Sequence, residues 1–283
     1  MGSRALGEHG RPTSAGPLGP RRTQPEPGRH TAEVIRAVVF DLDGVLLDSE
    51  SLWDDARRQV VARYGGHWRE QATADMQGMS SLEWSNYLRN QLGVELDEAE
   101  IVELVVDILL DRYRRALPLL QGARDAVARI GGRWPLGLAS SSNRVVIEEV
   151  LTLSGLASAF QTTVSSEEVR RGKPYPDVYL EAARRLGLSP QRCVAVEDST
   201  NGIDAAIAAG LRVVAVPNRD FPPKPEVVAS ADLVLASLEG LTLEALDRLD
   251  DRPANATFDQ VDEEEIESFP ASDPPSDWAG PAG

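Results

Sequence analysis

The chain has 283 residues, 42% of them hydrophobic, and carries a formal net charge of −16, a composition that suits one good core or two smaller ones and excludes collagen-like and membrane-embedded classes. Its acidity argues against a general nucleic-acid binder, which needs clustered cations, and no apolar run reaches the ~18 residues that a membrane-spanning helix requires. One cysteine, Cys193, excludes an intramolecular disulfide and reads as a buried thiol in a protein of the reducing cytoplasm.

Residues 1–33 are rich in Gly, Pro and Arg, lack the apolar core of a secretory signal, and are expected to be a disordered tail. The run IRAVVF (35–40) then reads as a buried strand, and it is followed at once by Asp41 and Asp43. From 52 to 118 the pattern is helical: LWDDARRQVVARYG, SLEWSNYLRNQLG and DEAEIVELVVDILLDRYRRAL. In the last of these, Ile101, Leu104, Val105, Ile108, Leu109 and Tyr113 fall at three- and four-residue steps and form one apolar stripe. This helical insertion begins just after the acidic pair and is placed to cover it.

Short apolar runs return at WPLGLAS (134–140), FQTTVS (160–165), RCVAVED (192–198), LRVVAVP (211–217) and ADLVLAS (231–237), alternating with segments of helical period such as ARDAVARIGG, RVVIEEVLTLSG, DVYLEAARRLG and NGIDAAIAAG. Apolar strands alternating with helices predict an α/β fold, a doubly wound, Rossmann-like parallel sheet covered on both faces. Its core is assigned to 34–51 and 119–250, with 52–118 as the inserted helical cap. Residues 251–283 hold nine acids against one Arg among Pro and Ser, and are expected to be a disordered acidic tail.

In such sheets ligands bind beyond the carboxyl ends of the strands. Asp41 and Asp43 end the first run there, and Glu197 and Asp198 end RCVAVED in the equivalent place. Adjacent carboxylates raise each other's pKa unless a cation neutralises them. Singly, either pair reads equally well as a solvated loop charge or a helix cap. Together they make an oxygen-lined site of the kind Mg²⁺ prefers.

The segment SSSN (140–143) follows the second run, and there Ser140 and Ser141 offer hydroxyls and backbone N–H groups to an anion, although Ser and Asn are also ordinary caps. In RGKPYPD (171–177), Lys173 is one of two lysines in a chain that otherwise uses Arg. That choice suggests a site suited to a compact point charge.

FDLDGVLLDSE, the Ser after LGLA, GKPYPD and VEDSTNGIDAA, in this order, resemble the four motifs of the haloacid dehalogenase superfamily, over roughly residues 35 to 240. The chain is similar to the helical-cap branch that includes beta-phosphoglucomutase and sugar-phosphate phosphatases. The resemblance implies Asp41 as a nucleophile that becomes an aspartyl phosphate and Asp43 as the general acid and base. It implies Mg²⁺ held by the Asp41 carboxylate, the Asp43 backbone carbonyl and Asp198, with Glu197 assisting. Ser140, Ser141 and Lys173 would grip the phosphoryl oxygens.

Dehalogenases lack the second acid and phosphonatases need a cap lysine, so neither resembles this chain as well. A mutase of this branch needs a cap cation on its bisphosphate, whereas the matching loop QGMSS (77–81) ends in Ser81. Hydrolysis is therefore favoured over the mutase, with Arg69 and Arg89 as other cations of the cap. The run DSESLWD (48–54) is similar to hexose-phosphate phosphatases, and Trp53, Gln77, Ser80 and Ser81 are the candidate substrate contacts. The expected partner is a small phosphorylated metabolite bound by a monomer or weak dimer, with no nucleic acid or membrane. A catalytically inactive binding module is the remaining reading. The three histidines form no cluster for zinc or a triad, and no glycine-rich nucleotide loop occurs.

Overall fold

A computed structural model of the chain describes residues 35–76, 79–219 and 221–250. The two expected tails, 1–33 and 251–283, lie outside the described residues. Among the described residues six strands, β1 (Ala37–Phe40), β2 (Leu136–Ser140), β3 (Phe160–Ser165), β4 (Cys193–Glu197), β5 (Arg212–Ala215) and β6 (Leu233–Val234), form one sheet in the order β3-β2-β1-β4-β5-β6. Every pairing is parallel. This is the doubly wound α/β arrangement expected from the alternation of strands and helices.

The strands read as continuous apolar runs because both faces are covered. Successive side chains point to opposite faces. Val38, Phe40, Leu138 and Val196 enter one core, while Ala37, Val39, Ala139 and Ala195 enter the other. Between β1 and β2 lie α1 (Glu50–Arg63), α2 (Ala72–Asp75), α3 (Ser81–Asn90), α4 (Glu98–Arg115) and α5 (Ala123–Gly131). Thereafter each strand is followed by one helix: α6 (Arg144–Ser154), α7 (Asp177–Leu186), α8 (Thr200–Ala208), α9 (Pro225–Ser230) and α10 (Leu243–Asp250).

Two helices of the insertion start on reciprocal capping boxes, Ser80 with Glu83 for α3 and Asp97 with Glu100 for α4. The stripe on α4 is broader than its sequence period: Val106 and Leu110 are buried alongside Ile101, Val105, Leu109 and Tyr113, whereas Leu104 and Ile108 are only partly buried. The reason is that α4 packs against α1, α3 and α6 together. Trp53 and Trp84 of the insertion belong to the same apolar core that underlies one face of the sheet. The strand order reverses direction between β1 and β4, and that switch point opens a crevice at their carboxyl ends.

Candidate active site

The register brings the predicted segments to one edge. Phe40 pairs with Val196, and the Asp41 amide donates to the Val196 carbonyl at 3.0 Å, so Asp41 and Glu197–Asp198 leave adjacent strands at the same height. On the other side of β1, Ser140 ends β2 opposite Ser165 of β3. Lys173 arrives from the loop before α7.

Lys173 is 4% exposed. Its Nζ donates to Asp41 Oδ1 at 2.6 Å, to Glu197 Oε1 at 2.5 Å and to the Ala139 carbonyl at 3.1 Å. Tyr179 donates its hydroxyl to Glu197 Oε1 at 2.6 Å, and its ring lies 5.0 Å from Nζ. Glu197 Oε2 accepts from the Asp198 amide at 3.0 Å and the Ser199 amide at 3.4 Å. Glu197 is thereby engaged on both oxygens, while Asp41, Glu197 and Asp198, all buried, bring one carboxylate oxygen each within 4.8 Å of the others.

Burial pushes the Asp41 carboxyl up to about 8, against the pull of Lys173. Asp198 is held well above the carboxylate range by burial and by Glu197 and Asp41. Burial alone would lower the Lys173 ammonium, but Asp41 and Glu197 outweigh it and hold it above its ordinary value. Three buried carboxylates thus face one ammonium. A site with hard oxygen donors and an excess of negative charge fits a divalent cation of the Mg²⁺ type.

Asp43 turns the other way. Its Oδ1 accepts from Ser49 Oγ at 2.6 Å and from Trp53 Nε1 at 3.1 Å, and its Oδ2 accepts from Ser142 Oγ at 2.6 Å. The next residue, Gly44, has φ of +79°, and a methyl group there would land on the Asp198 carboxylate. Gly202 is confined in the same way by Glu197. Each glycine keeps the backbone close to an acid.

The loop after β2 is fixed from β3: Ser165 Oγ donates to the Ser142 carbonyl at 2.7 Å and Ser166 Oγ to the Ser141 carbonyl at 2.9 Å. The Ser142 amide donates to Ser140 Oγ at 3.0 Å. Ser140, Ser141, Lys173, Asp41, Asp43 and Asp198 line one cavity, joined by Glu50 and Ser199. It measures about 40 Å³, room for an ion with water or a phosphoryl group.

The cap candidates divide. Trp53 reaches the site through Asp43. Ser80 caps α3 and its Cβ lies against Gly172 of the Lys173 loop. Ser81 is buried and donates to Asn143 Oδ1 at 2.6 Å, linking the insertion to the loop after β2. Gln77 lies outside the described residues. Arg69 is exposed and Arg89 pairs with Glu98 at 2.6 Å on the surface, so neither is placed at the cavity. Sequence reasoning missed Ser49, Glu50, Ser142, Tyr179 and Ser199. Ser49 and Glu50 close the motif FDLDGVLLDSE, and Ser142 and Ser199 lie within SSSN and VEDSTNGIDAA, whereas Tyr179 is hidden in the helical period of α7.

A family model described as haloacid dehalogenase-like hydrolase matches residues 35–210. Hexitol phosphatase B of Escherichia coli (strain K12) is 37% identical over 227 residues, which span 76% of this chain and 98% of that protein. CbbY from Rhodobacter sphaeroides, solved in complex with phosphate, superposes with a TM-score of 0.68 at 30% identity, covering 76% of this chain and 100% of that one. Beta-phosphoglucomutase from Clostridium difficile gives the same TM-score of 0.68 at 23% identity, over 77% of this chain and 98% of that one, a likeness of fold.

Proposed function

The chain belongs to the haloacid dehalogenase-like hydrolases, and we propose that it is a Mg²⁺-dependent phosphatase of small phosphorylated metabolites, sugar or sugar-alcohol phosphates, working through an aspartyl phosphate on Asp41. The observation that carries this reading is the buried Lys173 bridging Asp41 and Glu197 beside Asp198. The 37% identity with a hexitol phosphatase supports the substrate class.

In the first half-reaction an Asp41 carboxylate oxygen bonds to phosphorus while the bond from phosphorus to the sugar oxygen breaks, and Asp43 gives its proton to the departing alkoxide. In the second, water attacks phosphorus, its proton passes to Asp43, and the bond to Asp41 breaks. Lys173 and the Ser140–Ser141 segment hold the phosphoryl oxygens as their charge redistributes. Asp41, the Asp43 backbone carbonyl and Asp198 would hold Mg²⁺, which supplies further charge neutralisation. Glu197, engaged on both oxygens by protein donors, fixes Lys173. Residues 34–51 and 119–250 serve as the catalytic core, and 52–118 as a cap that must admit the sugar, because the cavity fits the phosphoryl group alone.

A mutase must hold a bisphosphate while it turns round. In this chain Ser81 is committed to Asn143, Arg89 to Glu98, and Arg69 is exposed, which favours water as the acceptor. The test is phosphate release with Mg²⁺ across a panel of sugar and sugar-alcohol phosphates. Beta-glucose 1-phosphate with a trace of glucose 1,6-bisphosphate is run alongside. Free phosphate is expected; conversion to glucose 6-phosphate with little free phosphate would identify a mutase, and metal binding without turnover an inactive module. No helix among the described residues is long and apolar enough to cross a membrane. We place the enzyme in the cytoplasm as a monomer or weak dimer.

Metal and pH should be linked. The Asp41 carboxyl is raised from 3.8 to about 8 in the folded chain. Its proton therefore contributes stability in full below pH ~4, and that contribution is lost as pH climbs through about 8. Mg²⁺ competes for the same oxygens and binds best once the proton has left. Saturating Mg²⁺ should raise the melting temperature by roughly 5–10 °C over EDTA at pH 8 and by much less at pH 5. Thermal melts at both pH values decide this, and an equal Mg²⁺ effect at each would remove the carboxylates from the metal site.

A further inference from the structure

Arg57 stands one turn beyond Trp53 on α1 and is 6% exposed. Its guanidinium carbon lies 5.3 Å from the Trp53 ring centroid and 5.4 Å from that of Trp84 on α3, the two indoles being 6.1 Å apart. Its buried Nε has no hydrogen-bond partner among the described residues. Glu50, Asp54 and Asp43 offset its charge from a distance, and burial still lowers its pKa.

Packing alone does not explain a cation in this position. A buried charge is expensive unless paired at close range, and Leu or Met would pack beside the two touching indoles without that cost. What a guanidinium adds is a directional attraction to both ring faces. Trp53 is the residue whose indole N–H meets Asp43 Oδ1 at 3.1 Å. The Arg57 side chain therefore fixes the ring that fixes Asp43.

We propose that Arg57 is a positioning residue, which holds Trp53 against Trp84 so that the indole N–H stays on Asp43 and keeps that carboxyl aimed at the leaving oxygen. The catalytic consequence rests on the phosphatase reading. The contact from Arg57 through Trp53 to Asp43 does not.

The test uses Arg57→Met, Arg57→Lys, Trp53→Phe and the double variant Arg57→Met/Trp53→Phe in the full chain. Arg57→Met should lower kcat on a sugar phosphate about 10-fold or more, since small displacements of catalytic groups carry large penalties, with KM within twofold. The loss on p-nitrophenyl phosphate should be smaller, because that leaving group needs no proton. Arg57→Lys should recover most of the rate, and the double variant should be no slower than Trp53→Phe alone, the signature of two residues acting in series.

An activity-independent readout is the indole N–H resonance of Trp53 in ¹⁵N-labelled protein, identified by its loss in Trp53→Phe. In Arg57→Met it should shift and exchange faster with solvent, and in Arg57→Lys less so. Arg57→Lys keeps the measurement decisive if Arg57→Met fails to fold. Additive losses in the double variant, an unmoved resonance, or a raised KM with kcat unchanged would each overturn the proposal, the last by making Arg57 a substrate contact. A wild-type protein that released no phosphate from any substrate would instead overturn the phosphatase reading, and the resonance would still decide the positioning role.

Discussion

Replacing Asp41 with Asn should lower turnover at least about 10³-fold and leave the fold intact. The amide is nearly isosteric and its carbonyl can still accept the Lys173 hydrogen bond that Asp41 Oδ1 accepts at 2.6 Å, but the amide does not supply the carboxylate nucleophile. The stability of the variant makes the prediction sharper. Asp41 is one of three buried carboxylates facing one ammonium, so its removal relieves repulsion that Asp198 otherwise feels. In EDTA near pH 8 the Asn variant should therefore melt no lower than wild type, and its stabilisation by Mg²⁺ should shrink. Phosphate release and thermal melts on the same sample give both numbers, with mass spectrometry to exclude deamidation back to Asp. Residual activity above ~1% in undeamidated protein would remove Asp41 from the nucleophile role.

The fold was legible because a parallel sheet buries both faces, leaving runs such as IRAVVF and RCVAVED that stand out against the helices. Observed β1 and β4 lie inside those two runs. The acids were legible because two pairs each directly follow a buried strand, whereas either pair alone reads as a loop charge or a helix cap. That these segments meet was carried by the resemblance to a known family, because spacing along the chain does not give the strand order.

What stayed hidden depends on contacts between distant elements. Arg57 and Arg58 are neighbours in LWDDARRQVVARYG, and nothing in that segment tells them apart. Yet Arg57 packs over two indoles, one of them from α3, while Arg58 pairs with Asp54 near the surface. The sequence points Trp53 toward the substrate, and periodicity does not show its N–H on Asp43. The sequence offers Ser81 as a substrate contact, while the approach of α3 to the loop after β2 also places it on Asn143.

Lys173→Met should abolish turnover and also destabilise the protein, which sets it apart from Asp41→Asn at the other end of the same 2.6 Å contact. The ammonium is 4% exposed and lies between Asp41 and Glu197. Removing one partner of a buried ionic cluster leaves the other charges uncompensated and typically costs about 3–5 kcal/mol. For a domain of this size that is a fall of roughly 6–20 °C in Tm. The fall should be larger at pH 8 than at pH 5, because protonation of the raised carboxyls relieves the imbalance at low pH and is lost as pH rises through about 8. Mg²⁺ should restore part of the stability and none of the turnover, since the metal neutralises the carboxylates without replacing the group that grips the phosphoryl oxygens. The double variant Asp41→Asn/Lys173→Met should then melt above Lys173→Met alone, because it deletes one of the orphaned charges. If the double variant melted lower, by the sum of two independent losses, the charge imbalance would not be what Lys173 resolves, and its role would reduce to packing against Tyr179.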